Sequence, residues 1–442
     1  MKKIELSNST LKFLIIFVLV LLFLIPISLI KNLINDRQDY KRDAVFSITE
    51  PLGRNAAFQG LVIAVPYNSY REYFDTKGTR HEESETKYVI FAPDSYNMDF
   101  TVNPYYLTRG IFKVPVYNGE INITADFDNF DYSYFGIKEK DFLQNEAVLI
   151  LGLSNSKNLT KQPEFVISGK KLNVSPIKYD AVSPFANSVY YPLSEIDFSQ
   201  KLHLSGTIAF QGGESIMVCP VAAENTITMK SSWQSPSFSG GWLPKERTLR
   251  KDGFSAEWNI AGLSTVFPKS WLAETKFNAE FITVSFIVPV DAYKKTTRSV
   301  KYALLFLIIP FLALLICEIF AGTKIHPVQY CLIGSADVIF YLLLLAISEH
   351  IPFDITYFIC ALAVSIATFF YASAIFKKIK WGGLVSLVQL ISYIFLYGTL
   401  QAEDYALLIG SLGLFGVLLL LMFITRKIDW YKLNENTQYD NN

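Results

Sequence analysis

The stretch HPVQYCLIGSADVIFYLLLLAISEH, residues 326–350, decides the class of this protein. It reads as a helix long and apolar enough to cross a bilayer, with one acid, Asp337, near its middle and Glu349 and His350 closing it. A carboxyl group at a helix centre costs roughly 2.5–3.5 kcal/mol on insertion scales. Asp337 must therefore face the interior of a helix bundle, protonated or paired with a hydroxyl or backbone group. Two readings follow. It is a proton or ion relay, or it is a polar contact between helices.

Working outward, the stretch has company. The run LKFLIIFVLVLLFLIPISLI, residues 11–30, carries no charge apart from Lys12. About 20 residues rising 1.5 Å each cover the roughly 30 Å hydrocarbon core. Lys2, Lys3 and Lys12 lead into it, but no small-residue cleavage pattern ends it, so it reads as an uncleaved signal anchor. Apolar runs return only after Lys301, with spans expected at 303–321, 327–348, 355–375, 382–400 and 406–425. The expected fold is a bundle of six transmembrane helices, one N-terminal and five C-terminal, around a large inserted β-rich extracytoplasmic domain. The expected divisions are an anchor at 1–30, a periplasmic domain at 31–302, a five-helix bundle at 303–425 and a cytoplasmic tail at 426–442.

Charge in the short loops orients these helices. GTKIH (322–326) carries Lys324, FKKIKW (376–381) carries Lys377, Lys378 and Lys380, and the tail carries Arg426, Lys427 and Lys432. The alternate loops EHIPFD (349–354) and QAED (401–404) carry neither Lys nor Arg. The positive-inside rule places both termini in the cytoplasm and residues 31–302 outside the inner leaflet. With 40 basic and 40 acidic residues the net charge is zero, which argues against nucleic-acid binding. Cys317, Cys331 and Cys360 fall in spans, so Cys219 alone in the external region makes no internal disulfide.

The external region alternates in short bursts that favour strands: GLVIAVP (60–66), INITADF (121–127), EFVISG (164–169), LHLSGTIAFQ (202–211), NTITMKSSW (225–233) and ITVSFIVPV (282–290). No long helical period separates them, so a mostly antiparallel sandwich or twisted sheet is expected, and the polar DTKGTRHEESETK (75–87) reads as an exposed loop or hairpin tip. The acidic DFDNFD (126–131) is a poor calcium loop. Phe130 stands where an oxygen ligand is required, Asp131 where glycine is, and Ile137 where the closing glutamate is. It reads instead as a strand end with alternating aromatic and solvated faces. No zinc-protease helix, P-loop, C-x-x-C or nucleophile elbow occurs. His81 and His203 have no Cys or His at metal spacing. No catalytic residue, metal site or cofactor is assigned, and the chain is read as a non-enzyme.

Several segments together resemble the CreD family of inner-membrane cell envelope integrity proteins. They are LIKNLINDRQDYKRDA (29–44), TADFD (124–128), SSWQSPSFSGGWLP (231–244), ICEIF (316–320), the opening stretch itself and TRKIDWY (425–431). The resemblance runs over nearly the full length with the same order of spans. It implies an inner-membrane location and a role in envelope stress, often under a sensor kinase and response regulator, rather than a reaction. Glu318 and His326 match family positions, whereas Asp337 departs from a pattern in which an apolar residue is expected.

Five residues are singled out in the bundle. Glu318 and His326 suggest either a functional or gating role, or a local ion pair with Lys324 or snorkelling. Asp337 is the relay candidate. Glu349 and His350, with Ser348, are too differently oriented on a helix to form a triad; they are expected to end the helix at the outer interface and contact the external domain, with His350 able to titrate near neutral pH. In the last span, Gly410, Gly413 and Gly416 permit close packing. The segment SPSFSGGWLP (235–244), with Trp233, Phe238 and Trp242, either anchors in a core or offers aromatic contacts to a partner. The function expected is support of envelope integrity by a periplasmic domain that binds an envelope protein, lipid or peptidoglycan component. The alternative is a proton- or ion-coupled transporter or flippase-like protein using Glu318 and Asp337.

Overall fold

The computed structural model describes residues 8–74, 80–128, 130–175, 183–185, 187–286, 292–402 and 405–426. Part of the charged hairpin tip (75–79), the end of the last expected strand (287–290) and the tail beyond Arg426 lie outside them. The chain divides into two compact units, Met1–Lys41 with Val290–Asn442, and Arg42–Pro289.

The first helix, α1 (Asn8–Thr49), is longer than the anchor expected at 1–30. Its 42 residues at about 1.5 Å each give roughly 60 Å, twice the hydrocarbon thickness. Residues 31–49 contain no Gly or Pro, so nothing stops the helix when the apolar run ends. It stops where Pro51 follows and Gly53 takes φ 81°. At the expected boundary, residue 31, the chain is still helical, and the division between units falls after Lys41.

The second unit holds sixteen described strands. They are β1 (Ala56–Phe74), β2 (Arg80–Phe91), β3 (Ser95–Arg109), β4 (Phe112–Phe127), β5 (Val148–Leu153), β6 (Glu164–Ile167), β7 (Lys170–Lys171), β8 (Asn187–Pro192), β9 (Leu202–Gly213), β10 (Ser215–Val218), β11 (Glu224–Ser231), β12 (Pro236–Gly240), β13 (Glu246–Arg250), β14 (Gly253–Ala261), β15 (Ser270–Leu272) and β16 (Ile282–Phe286). One eight-stranded sheet runs β12-β16-β10-β1-β2-β15, with β5 on β1 and β8 on β5; the other runs β13-β14-β11-β3-β4-β9-β6-β7. Among the described strands, only β1 with β10 and β3 with β11 pair in parallel.

Period-two alternation drives this unit. On β3, Tyr96, Met98, Phe100 and Val102 are buried while Asp99, Thr101 and Asn103 face out. On β5 every residue is buried, which makes it a central strand covered on both faces. The sheets share one aromatic core. The Phe58 ring of one sheet lies edge-on to Phe100 and Phe210 of the other, at 5.7 and 5.3 Å. A buried polar tie crosses beside it: Ala56 N–H donates to the Tyr117 hydroxyl at 3.1 Å, which donates to Ser215 C=O at 2.7 Å. Gly206 on β9 is required by close approach, because a Cβ there would lie 2.2 Å from the Phe165 ring.

The first unit is completed by α2 (Ala292–Lys301), α3 (Ala303–Ala321), α4 (Pro327–Ser348), α5 (Phe353–Phe376), α6 (Ile379–Gln401) and α7 (Ala406–Thr425). Among the described residues, six helices are long and apolar enough to cross a membrane: α1 and α3 to α7. The helix α2 is not foreseen in the sequence, which assigns residues up to 302 to the β-rich domain. Its charges hide an amphipathic pattern that buries Tyr293, Thr296, Ser299 and Val300. Gly413 packs α7 onto α6, since a Cβ there would lie 2.2 Å from the Phe395 ring.

Candidate functional site in the helix bundle

Three polar constellations lie in the bundle, and each contains a residue singled out in the sequence. The first surrounds Asp337, halfway along α4 and 3% exposed. Gln389 Nε2 and the Tyr393 hydroxyl, both on α6, donate to its Oδ1 at 2.5 and 2.8 Å. Gln389 and Tyr393 are four residues apart and so share one helix face. The Tyr393 ring stacks on Phe340, 4.4 Å between centroids, and Tyr357 of α5 closes edge-on at 5.4 Å from Phe340. Tyr357 donates to the Tyr393 C=O at 2.7 Å, which fixes α5 against α6. Asp337 Oδ2, Gln389 Oε1 and the Tyr341 hydroxyl are buried without a protein hydrogen-bond partner. No Lys, Arg or His of the described residues pairs with Asp337. A bare carboxylate in this setting is costly.

The second constellation surrounds Glu318, near the end of α3 and 6% exposed. The Lys12 ammonium of α1 forms an ion pair with Oε1. The Ile325 N–H donates to the same oxygen at 2.9 Å, and the Tyr330 hydroxyl of α4 donates to Oε2 at 2.9 Å. Both carboxylate oxygens are thus satisfied, and the group ties α1, α3 and α4 together. The expected partner, Lys324, is corrected: the cation comes from the first span, 306 residues earlier in the chain. The structure does not bring His326 to this carboxylate. It is the exposed N-cap of α4, where its Nδ1 accepts from Val328 N–H at 3.3 Å and its own N–H donates to Gln329 Oε1 at 3.0 Å.

The third constellation holds the opposite end of α4. Tyr293 of α2 donates to Glu349 Oε1 at 2.9 Å, with Arg37 of α1 at 3.5 Å. Nearby, Lys295 of α2 and Gln401 of α6 both donate to Asp354 Oδ1, at 3.2 and 3.1 Å. Ser348 donates to Leu345 C=O, so no triad forms with His350, which is exposed. The partners of Glu349 sit on α1 and α2.

The aromatic segment resolves toward anchoring. Residues 236–240 form the edge strand β12, not a loop. Trp233 is 8% exposed and donates from Nε1 to Ser235 C=O at 3.2 Å. Phe238 lies edge-on to Phe254 and Trp258 at 5.7 and 5.8 Å, and Trp242 packs partly buried against the same core. Trp233 in the core, and Phe238 and Trp242 packed against it, favour the anchoring alternative.

The acidic stretch does not gather its carboxylates. Asp126 accepts from His203 at 2.7 Å and from Ser95 at 3.1 Å, with Lys201 at 3.4 Å. The His203 bond, first among these, holds the Asp126 carboxyl below its usual range. Asp131 accepts from Ser133 instead. Burial pushes the Cys219 thiol up to about 12. No group of three metal-ligating side chains occurs among the described residues.

Several residues of these sites escape sequence reading. Lys12, Tyr293 and Arg37 reach their partners across long chain separations that no local pattern reports, and Tyr330 reaches back across the α3–α4 connection to Glu318. Gln389 and Tyr393 do leave a signal, since a four-residue spacing of polar groups inside an apolar helix marks one polar face.

The CreD family model, described as Inner membrane protein CreD, matches residues 8–431. Inner membrane protein CreD of Escherichia coli (strain K12) is 30% identical over 421 residues, covering 94% of this chain and 92% of that protein. Among solved structures, an M1 zinc metallopeptidase from Deinococcus radiodurans matches with a TM-score of 0.21 at 9% identity, over 44% of this chain and 41% of that one. A two-domain M1 zinc metallopeptidase bound to L-tryptophan matches with a TM-score of 0.19 at 9% identity, over 44% and 42%. The chain spans less than half the length of those peptidases, and a likeness at this level carries no argument. This chain belongs to the CreD family of inner membrane proteins.

Proposed function

With family membership as premise, we propose that this inner membrane protein supports cell envelope integrity under stress by binding an envelope component through its sheet-rich unit. Both termini are cytoplasmic in this reading, and the sheet-rich unit is periplasmic. The lysines of 322–326 and 376–381 against the Lys- and Arg-free 349–354 and 401–404 support that orientation.

One observation carries the binding role. A groove of about 580 Å³ opens where β3, β11, β13 and β14 meet. Lys230, Arg250 and Asp252 stand at it with Thr101, Asn103 and Thr248, and Val102 and Phe254 add apolar surface. Charges of both signs, hydroxyls and an amide beside apolar surface suit a hydroxyl-rich envelope polymer. The test is complementation of a deletion strain by the full-length chain carrying Lys230→Glu and Arg250→Glu, under detergent or antibiotic stress. Loss of rescue at unchanged membrane level is expected; full rescue would sink the groove's role.

A second reading, proton- or ion-coupled action by the bundle, is favoured by Asp337 and not by Glu318. Glu318 has every oxygen satisfied and a paired cation. Asp337 has no cation and an unpartnered oxygen. Retained rescue by Asp337→Asn would remove this reading.

A further inference from the structure

One hairpin of the sheet-rich unit carries apolar side chains on its outside. β3 and β4 pair from Ser95–Asp126 to Arg109–Phe112, and the turn between them is Gly110–Ile111. Gly110 takes φ 60°, which the first position of a type II′ turn needs. The neighbouring strands stop short of this turn: β11 leaves β3 at Val102, and β9 leaves β4 at Val116. The last stretch is therefore a two-stranded ribbon, which is marginal in water by itself. Its sequence is YYLTRGIFK, residues 105–113. Tyr105, Tyr106, Leu107 and Ile111 are 37–50% exposed. Arg109 and Lys113 are exposed beside them, and the ribbon holds no acid. Single exposed apolar residues need no explanation, but four on one tip do.

The chain enters and leaves the unit at the base of this ribbon. Gly213, opposite Val116, leaves room for the side chain of Thr49, the last residue of α1. The Gly213 N–H donates to Arg54 C=O at 3.0 Å. At the exit, Phe286 N–H donates to Glu214 C=O at 2.7 Å, and the Phe286 ring lies 5.1 Å from that of Tyr117. Trp233 bridges the Phe286 ring, at 6.0 Å, and the Tyr106 ring, at 5.6 Å, and so braces the ribbon. Both connections to the membrane-spanning helices leave from the end of the unit that carries the tip.

The lengths agree with a return to the bilayer. Arg37 of α1 lies 3.5 Å from Glu349, which caps α4 where its span ends. From Arg37 to Thr49 the helix rises about 18 Å at 1.5 Å per residue. From Val116 to the turn the ribbon extends about 16 Å at 3.3 Å per residue. A ribbon that starts beside Thr49 is long enough to meet the headgroup layer, which adds roughly 6 Å to each side of the hydrocarbon.

We infer that the β3–β4 tip is a lipid-surface anchor. Tyr105, Tyr106, Leu107 and Ile111 enter the boundary between headgroups and acyl chains of the bilayer that holds the helices, and Arg109 and Lys113 meet lipid phosphates. Tyrosine suits this depth because its ring is apolar and its hydroxyl is wet. Cations without acids beside apolar groups suit a surface that carries anionic lipid. The anchor goes beyond the function proposed above and uses neither the groove nor Asp337.

Two measurements on the full-length protein in proteoliposomes of phosphatidylethanolamine and phosphatidylglycerol test it. In the first, the unaltered chain is irradiated with a phospholipid carrying a diazirine near its glycerol backbone, and adducts are located by mass spectrometry. Adducts within 105–113 are expected besides those on the spanning helices; adducts confined to the helices overturn the anchor. In the second, a background with Cys219, Cys317, Cys331 and Cys360 replaced by Ala carries Leu107→Cys or Leu263→Cys with an NBD label. Leu263 is fully exposed at the opposite end of the sheet, where Ala261 pairs with Glu224 and Glu224 with Ser95, so it reports a site in water. A blue-shifted emission quenched by lipid-borne nitroxide is expected at 107 and not at 263. Equal, unquenched emission at both positions overturns the anchor. A blue shift at 107 without lipid quenching also overturns it, because a protein partner or a second copy then covers the tip.

Discussion

Glu318 and Asp337 are both acids buried in one helix bundle, and they are treated in opposite ways. Glu318 receives an ammonium, a backbone N–H and a tyrosine hydroxyl from three different segments, so its charge works as a clamp. Asp337 receives two neutral donors on one oxygen, and its other oxygen has no partner. The difference lies in position. Lys12 begins the first span and reaches Glu318 at the bundle end, whereas no cation is spaced to reach the middle of α4. A buried acid near a helix end is therefore affordable as structure, while one at mid-span carries a demand that neutral side chains meet only in part.

The contrast can be broken at several points. Glu318→Ala strands Lys12 and removes the acceptor for Ile325 and Tyr330. A loss of roughly 3 kcal/mol is expected, at the low end for a broken buried pair because Lys12 is 38% exposed. Reversible unfolding in mixed micelles measures it, and an unchanged midpoint would dissolve the clamp. Tyr330→Phe deletes one donor to a charged acceptor and should cost about 1.5–2 kcal/mol in the same assay. Asp337→Asn keeps shape and neutrality, so its midpoint should move by less than about 1 kcal/mol. A loss as large as that of Glu318→Ala would mean that Asp337 is charged and structurally paired after all.

The smallest effect belongs to the sheet-rich unit. The Asp126 carboxyl is depressed, chiefly by His203, so its contribution is present above the unfolded carboxyl value of about 4 and fades as pH falls through the folded value. The site is solvent-screened, and Asp126→Asn should cost under about 0.5 kcal/mol near neutrality. Thermal unfolding at neutral and acid pH should show that gap closing in acid; a gap that widens there would reverse the sign.

Much of this architecture is legible in the chain. The five C-terminal spans read from hydropathy agree with the helices within a few residues, and α4 has the bounds expected of it, because twenty apolar residues admit few structures. Each of the six strand segments named from alternation overlaps a strand among the described residues. What escapes is whatever depends on partners. The continuation of α1 to Thr49 and the helix α2 are charged and lack a hydropathy signal. The neighbours of Glu318 and Asp337 are set by how helices face one another, and no run of adjacent residues encodes that. His326 misleads for a related reason: it is the N-cap of α4, which a reading of it as a gating or ion-pairing residue overlooks. Trp233 is a core residue and Trp242 packs partly buried against the core, where β12 pairs with β16, a pairing the sequence does not announce.

The central claim is that the two buried acids differ in charge. Infrared spectroscopy of the full-length protein in lipid, with isotope exchange to mark accessible groups, tests this directly. The account predicts a protonated carboxylic C=O band that persists in Glu318→Gln and vanishes in Asp337→Asn. A band that vanishes with Glu318 and survives without Asp337 would contradict it.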